Sequence, residues 1–213
     1  MLFRIPPINR VVAIIITSDF LVTMGASLLT PIFAIFVTQQ ISGGSVASVG
    51  FAIAIYWGIK SIVQLPIARY LDRNHGEVDD YYFMIIGLIS SGVVLASYYF
   101  ATSVWHVYLL QALLGISDSF LLPPFYAIFT RHIDPGSEGF EWSLRSSLSF
   151  GGGAAIGGAI GGLMLGIVGF RNMFVIAAFF NFLSVAVLMF MRPYILPQTL
   201  KPVRRALFEQ KKV

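Results

Sequence analysis

The sequence predicts an all-α integral membrane protein whose six transmembrane helices form a 3+3 inverted repeat. Composition is the first reason. Of 213 residues 57% are hydrophobic and only 11% are charged, with a mean hydropathy of +0.81. Soluble domains carry about 25% charged residues, so too few charges are present to cover a surface in water. The second reason is length: a hydrocarbon core about 30 Å thick needs roughly 20 apolar residues of helix, and six stretches meet this. The third is that the connections between them alternate in charge.

The first span covers about residues 10–38. It is too long for the roughly 7–15-residue apolar region of a signal peptide and has no small-residue cleavage site, so it reads as a helix of the mature chain. The second covers about 45–71 and the third about 81–101, with Glu77, Asp79 and Asp80 ahead of it. The fourth covers about 103–130. The fifth, about 142–170, follows Glu138 and Glu141, and the sixth covers about 172–191. A basic tail, 193–213, ends the chain. Acids that open a span favour the positive end of the helix dipole, and Arg69, Arg73, Arg131 and Arg192 at span ends favour the negative one. Pro31, Pro66, Pro123 and Pro124 mark expected kinks.

Connections carrying "RNHGEVDD" and "RHIDPGSEGFE", with both chain ends, hold nearly all the Lys and Arg near span ends. "QQISGGS", "ATS" and "GFRN" hold only Arg171. The positive-inside rule then places both termini in the cytoplasm, as for a plasma or inner-membrane protein. The motif P-x-x-A-I-F occurs at Pro31–Phe36 and again at Pro124–Phe129. The chain therefore reads as three spans and three more, the second triplet inverted because three is odd.

The fifth span raises a question of its own: "SFGGGAAIGGAIGGLMLGIVGF" (Ser149–Phe170) is rich in the residue that costs a helix about 0.8–1.0 kcal/mol against Ala. In lipid, amides must bond within the helix, and small residues let helices approach. Gly153, Gly157 and Gly161 lie four apart, as do Gly158, Gly162 and Gly166. Together they predict a broad flat packing face.

Three ionisable residues fall inside spans, where each costs about 2.5–3.5 kcal/mol: Asp19, Lys60 and Asp118. Lys60 and Asp118 each lie about 20 Å of helix from the arginine closing their span. They therefore share a depth, and either form a structural pair or tune a proton-exchanging acid. Asp19, with less compensation, is the expected titrating carboxylate. Gln111, Tyr56 and Trp57 complete a candidate proton and substrate cavity.

Other chemistries lack their residues. With no Cys there is neither a disulfide framework nor a thiolate metal site. No carboxylate–histidine cluster has metal spacing, and no cofactor is expected. Ser117 has no base at its depth, since His75, His106 and His132 lie near span ends, which argues against a serine nucleophile. The net charge of +4 sits at span ends and in the tail, so no nucleic-acid partner is expected.

Three stretches resemble the major facilitator superfamily, in particular the N-terminal six-helix half of its drug:proton antiporters. "ARYLDRNHG" (Ala68–Gly76) is similar to the family's G-x-x-x-D-R-x-G-R/K-R/K loop at Asp72 and Arg73. It departs at Ala68, His75, Gly76 and Glu77. "LLQALLGISDSFLLPP" resembles the fourth-helix motif R-x-x-Q-G at Gly115, with Gln111 in place of the Arg and Leu114 in place of the Gln. The run from Gly153 to Gly162 carries every glycine of G-x-x-x-G-P-x-x-G-G, with Gly158 for the proline.

The resemblance implies a half-size transporter that restores its missing half as a homodimer. Alternating access would drive proton-coupled antiport or export of a small solute. It implies contact between the second span of one chain and the fifth of the other, through Gly153, Gly157, Gly158, Gly161 and Gly162. These would meet Tyr56, Trp57 and Gln64, with a notch at Ser61. It also implies a gating latch at the cytoplasmic ends from Asp72, Arg73, Arg131, Glu141 and Arg145. Asp72 would sit near Trp142 of the partner subunit. A non-transporting scaffold, or a half that pairs with a different chain, is the alternative.

Overall fold

The computed structural model describes residues 8–74 and 76–195, with Asn74 described by its main chain only. His75, the "MLFR" terminus and the tail beyond residue 195 lie outside the described residues. Six helices are long and apolar enough to cross a membrane: Arg10–Leu29, Val46–Arg73, Glu77–Phe100, Val104–His132, Glu138–Val168 and Phe170–Tyr194. Among the described residues no strand forms, and one isolated bridge joins Ser42 to Ser103.

The first span is shorter than the sequence suggests. It divides into α1 (Arg10–Leu29) and α2 (Phe33–Gln40). The break falls at Pro31, which has no N–H to continue the helical ladder. Asn9 opens α1 by accepting from the Val11 amide at 2.9 Å. By contrast Pro66 lies inside α3 (Val46–Asn74), and Pro123 and Pro124 lie inside α5 (Val104–His132). The third span begins earlier than expected, as α4 (Glu77–Ser97), because its three acids form the first turn rather than precede it. The fifth begins at α6 (Glu138–Arg145), continues through a π-helical segment (Ser146–Gly153) and ends in α7 (Ala154–Val168). Gly169, at φ +78°, turns the chain into α8 (Phe170–Met189).

The spans pack in the order two, four, three, six, one, five. That order is unchanged when spans one and four, two and five, and three and six are exchanged, as a 3+3 inverted repeat requires. Spans two and five therefore flank the bundle. Only 22% and 17% of their apolar windows are buried within the chain, against 39–44% for the other four. At one end of the bundle, Arg10 donates to the Tyr194 hydroxyl at 3.1 Å. On the opposite side the Ser42 amide donates to Thr102 O at 2.9 Å, and Arg171 donates to Tyr99 O at 2.8 Å.

The glycines do not form one broad face. Ser149 Oγ donates to Ile16 O at 3.3 Å. A Cβ added at Gly153 would lie 3.1 Å from Phe20 O, at Gly157 2.3 Å from Met24 O, and at Gly161 2.4 Å from Leu28 O. Residues four apart on the fifth span thus meet residues four apart on α1, backbone against backbone. The expectation that Gly153, Gly157 and Gly161 face another chain is corrected: they hold two helices of this chain together. Gly158, Gly162 and Gly166 have nothing within 4 Å of an added Cβ. Successive helical residues point about 100° apart, so one row is spent on α1 and the next stays open.

The π-helical segment sets which row is spent. Arg145 at its start faces Asp19 on α1, and Gly157 beyond it faces Met24 on the same helix. At 3.6 residues per turn, an unbroken α-helix would turn Gly157 roughly 120° from Arg145 and bring Ile156 within about 20° of it. The i→i+5 bonding of the π segment takes up this difference, so that Arg145 and the glycine row address one neighbour.

Candidate functional site

Among the described residues, two ion pairs at membrane depth and a cavity lie in the bundle interior. The first pair depends on a close approach of α3 and α5. A Cβ at Gly115 would stand 2.6 Å from Tyr56 O and 3.4 Å from the Lys60 amide nitrogen, so only glycine admits this crossing. Ser119 seals it, donating to Gly115 O at 2.7 Å and to Lys60 O at 3.3 Å. One turn away, Tyr56 OH donates to Asp118 Oδ2 at 2.5 Å. Lys60 Nζ donates to Tyr56 OH at 3.0 Å and lies 3.7 Å from Asp118 Oδ2. The ammonium also lies 5.3 Å and 5.1 Å from the ring centres of Tyr56 and Trp57, within cation–π range.

The second pair joins α1 to α6. Arg145 Nε donates to Asp19 Oδ2 at 3.0 Å. The guanidinium is buried over Phe125 at 4.3 Å and Phe150 at 4.9 Å, with Tyr126 and Trp142 each at 5.8 Å. The sequence assigns Asp19 to the cavity and Arg145 to a separate latch, and makes Asp19 the less compensated acid. That expectation is corrected, since a buried guanidinium bonds it directly. Both aspartates follow a serine (Ser18 and Ser117), and both pair with a cation flanked by aromatic rings. Exchanging spans one with four and two with five carries one pair onto the other.

A cavity of about 250 Å³ lies between spans one, two, three, four and six, in their halves away from Arg10 and Tyr194. Tyr56, Gln111 and Asp118 line it, and so do Ser91, Tyr98 and Asn181. Trp57 instead faces outward, 57% exposed, and neither it, Lys60 nor Asp19 lines the cavity. The sequence does not single out Ser91, Tyr98 and Asn181, because neutral polar residues other than those near Lys60 and Asp118 on the same spans carry no sign of facing inward. Asn181, an amide within "FFNF", comes nearest to one.

The residues grouped as a latch also separate. Arg131 bonds Asp80 and lies 3.9 Å from Glu77, and His132 Nε2 lies 4.0 Å from Glu77. Glu141 Oε1 accepts from the Asp134 amide at 3.2 Å. Arg131, Glu141 and Arg145 are thus engaged within the chain. Asp72 and Arg73 are exposed at the end of α3, without a hydrogen bond or ion pair among the described residues.

Residues 15–212 match the Major Facilitator Superfamily. The chain belongs to the Major Facilitator Superfamily. As a superfamily member with six membrane-length helices it is a multi-pass integral membrane protein of a transporter family. No curated protein matches the chain. Among the described residues no group of His, Asp or Glu is placed to hold a metal ion. The bundle thus holds two ion pairs at membrane depth, Asp19–Arg145 and Lys60–Asp118, and a mainly apolar cavity with a few polar groups beside the second.

Proposed function

We propose that this chain is a half-size transporter working as a homodimer, moving a small solute by alternating access in antiport with protons. The observation that carries the reading is the bareness of spans two and five. They are the least covered of the six, and Gly158, Gly162 and Gly166 line one of them with open space. Apolar side chains there gain nothing from leaving lipid, so glycine is favoured only where another helix approaches closely. With Gly153, Gly157 and Gly161 spent on α1, the open row is the part of the glycine run left for a second chain. The exposed ridge of Phe51, Ile62 and Leu65 on α3, within about 60° of one another around the helix, is the surface to meet it. Asp72 and Arg73 sit at the end of that ridge as the latch to the partner.

Asp118 is the proposed proton carrier. It lines the cavity, and its single-oxygen bond to Tyr56 and its ion pair to Lys60 give it partners that another conformation can exchange. Asp19 holds the Arg145 side closed. Both termini lie in the cytoplasm in this reading, by the charge bias of the connections.

The test is reconstitution in liposomes with a pH-sensitive dye inside, an imposed proton gradient and a panel of solutes. Solute-dependent proton flux that Asp118→Asn abolishes supports the reading. Flux retained in Asp118→Asn but lost in Asp19→Asn moves the carrier to Asp19. No flux with any solute, from a protein that stays monomeric in lipid, leaves a scaffold or a half that needs a different partner.

A further inference from the structure

One face of α5 carries two polar side chains with an apolar one between them. Gln111, Leu114 and Asp118 stand at spacings of three and four, so they point within about 60° of one another around the helix. All three line the cavity. Gln111 is 8% exposed. Its amide makes no hydrogen bond among the described residues, yet neither of its polar atoms is sealed off: both stay open to a water-sized molecule. Most buried polar groups in proteins are paired, so one that is not requires an explanation. Asp118 keeps 23% of its side chain exposed. A carboxylate has about four acceptor sites, and Tyr56, Lys60 and the neighbouring Ser91 hydroxyl take at most three. The cavity therefore meets an open amide at one end of the stripe and an open acceptor site at the other, about 10 Å apart along the helix.

The two ends ask for different chemistry. An ionised carboxylate only accepts, so Asp118 takes an O–H or N–H donor. The Gln111 amide both donates and accepts, which another amide matches. Leu114 between them, with Phe33 and Phe174 elsewhere in the lining, favours an apolar middle. Lys60 lies 3.7 Å from Asp118 and offsets its charge. A cation or an anion entering would shed its hydration without an unmatched counter-charge to receive it. A volume of about 250 Å³ is below the roughly 300–1,000 Å³ of pockets for drug-sized ligands. We infer that this cavity binds a small, elongated, uncharged solute with a hydrogen-bond donor at one end, an amide at the other and an apolar middle, Asp118 and Gln111 reading the two ends. The site deepens the transporter reading by naming a solute class and rests on it for physiological use. Binding itself does not require two chains to assemble.

The test is calorimetric titration of the full chain in lipid nanodiscs, corrected against empty discs. The lead probe is 4-hydroxyphenylacetamide, an uncharged ring with a phenol at one end and an amide at the other. Removing the donor (4-methoxyphenylacetamide) or the amide (4-ethylphenol) should each weaken binding about ten-fold, since a site built to hydrogen-bond a group loses most when that group is missing. The isomer 2-hydroxyphenylacetamide keeps both groups but draws them together. It should also bind about ten-fold more weakly, being too short to serve two side chains seven residues apart on a helix. Tyramine, which carries a cation in place of the amide, should lose about as much. Gln111→Leu should weaken the lead probe about ten-fold and leave 4-ethylphenol, which has no amide to lose, no weaker. The probe series on the unaltered chain decides the matter even where that variant fails to fold. Equal or tighter binding of the isomer, of either trimmed probe or of tyramine overturns the inference. So does a lead probe unaffected by Gln111→Leu, which would leave the amide to water. Absence of binding by the lead probe also overturns it. Binding by a chain that moves no solute would sink the transporter reading and leave this site standing; transport without binding of the lead probe would do the reverse.

Discussion

Asp19 and Arg145 stand 126 positions apart in the chain and meet at 3.0 Å, the carboxylate on the first span and the guanidinium at the last α-helical residue before the fifth span's π segment. Both are largely buried, with side chains 16% and 8% exposed. Removing one partner strands the other in a poorly solvated site, which costs about 3–5 kcal/mol for buried pairs. Arg145→Leu and Asp19→Leu are each expected to lower the midpoint of thermal unfolding strongly. The double variant should recover much of the loss. Losses that simply add in a double-mutant cycle would mean that the pair contributes no coupling.

The pair of Lys60 and Asp118 is expected to behave in the same way, but with a third member. Tyr56 bridges the two, so Tyr56→Phe should reduce the coupling measured between Lys60→Ala and Asp118→Ala. The double change should be milder than either single one, because no charge is left without its partner. Coupling unaltered by Tyr56→Phe would show that the hydroxyl is a bystander.

The two glycine rows should answer differently to the same small addition. Alanine at Gly157 or Gly161 puts a methyl group 2.3–2.4 Å from a carbonyl oxygen of α1, and overpacking of this kind costs about 1–3 kcal/mol. Alanine at Gly158 or Gly162 meets nothing within the chain. Thermal unfolding of detergent-solubilised protein should therefore fall for the first two and hold for the second two. Leucine at Gly158 or Gly162 is expected to leave the melting point in place while shifting the dimer–monomer balance in lipid. A melting point that falls equally in both rows would remove the distinction.

Deleting one residue from the π segment, Gly151 or Gly152, makes Gly157 the eleventh residue after Arg145, the position that an unbroken α-helix turns to within about 20° of it. The segment should then close into α-helix while Arg145 still meets Asp19 and the glycine ladder still meets α1. The melting point of the deletion should stay close to that of an Ala substitution at the same site, and inserting one Ala after Gly152 should lower it well below both. A deletion as destabilising as the insertion would show that the segment does not take up one extra residue.

Fusing a reporter that is active only in the cytoplasm to residue 1 and to Val213 should give activity at both ends. Activity at one end alone would mean an odd number of crossings, contrary to six membrane-length helices.

The class of solvent, the number of spans and the depth of the charged residues were determined by the sequence alone, because each depends on composition along one line. Six apolar runs must cross a hydrocarbon layer, and Lys60 and Asp118 must share a level if their helices are straight. The proximity of those two was legible for that reason. Which side of a helix a residue faces is a rotational property, and only the packed structure decided it. The glycine run shows why: two rows of equal composition differ by about 100°, and an unforeseen π segment chose the one that meets α1. Arg145 likewise gave no sign of its partner: near the start of the fifth span it opposes the helix dipole, which calls for a carboxylate nearby but does not say which. Tyr98 and Asn181 stayed unread because neutral polar residues in a span are ordinary until their hydrogen bonds are counted. That counting needs the neighbours, and the neighbours exist only in the tertiary fold.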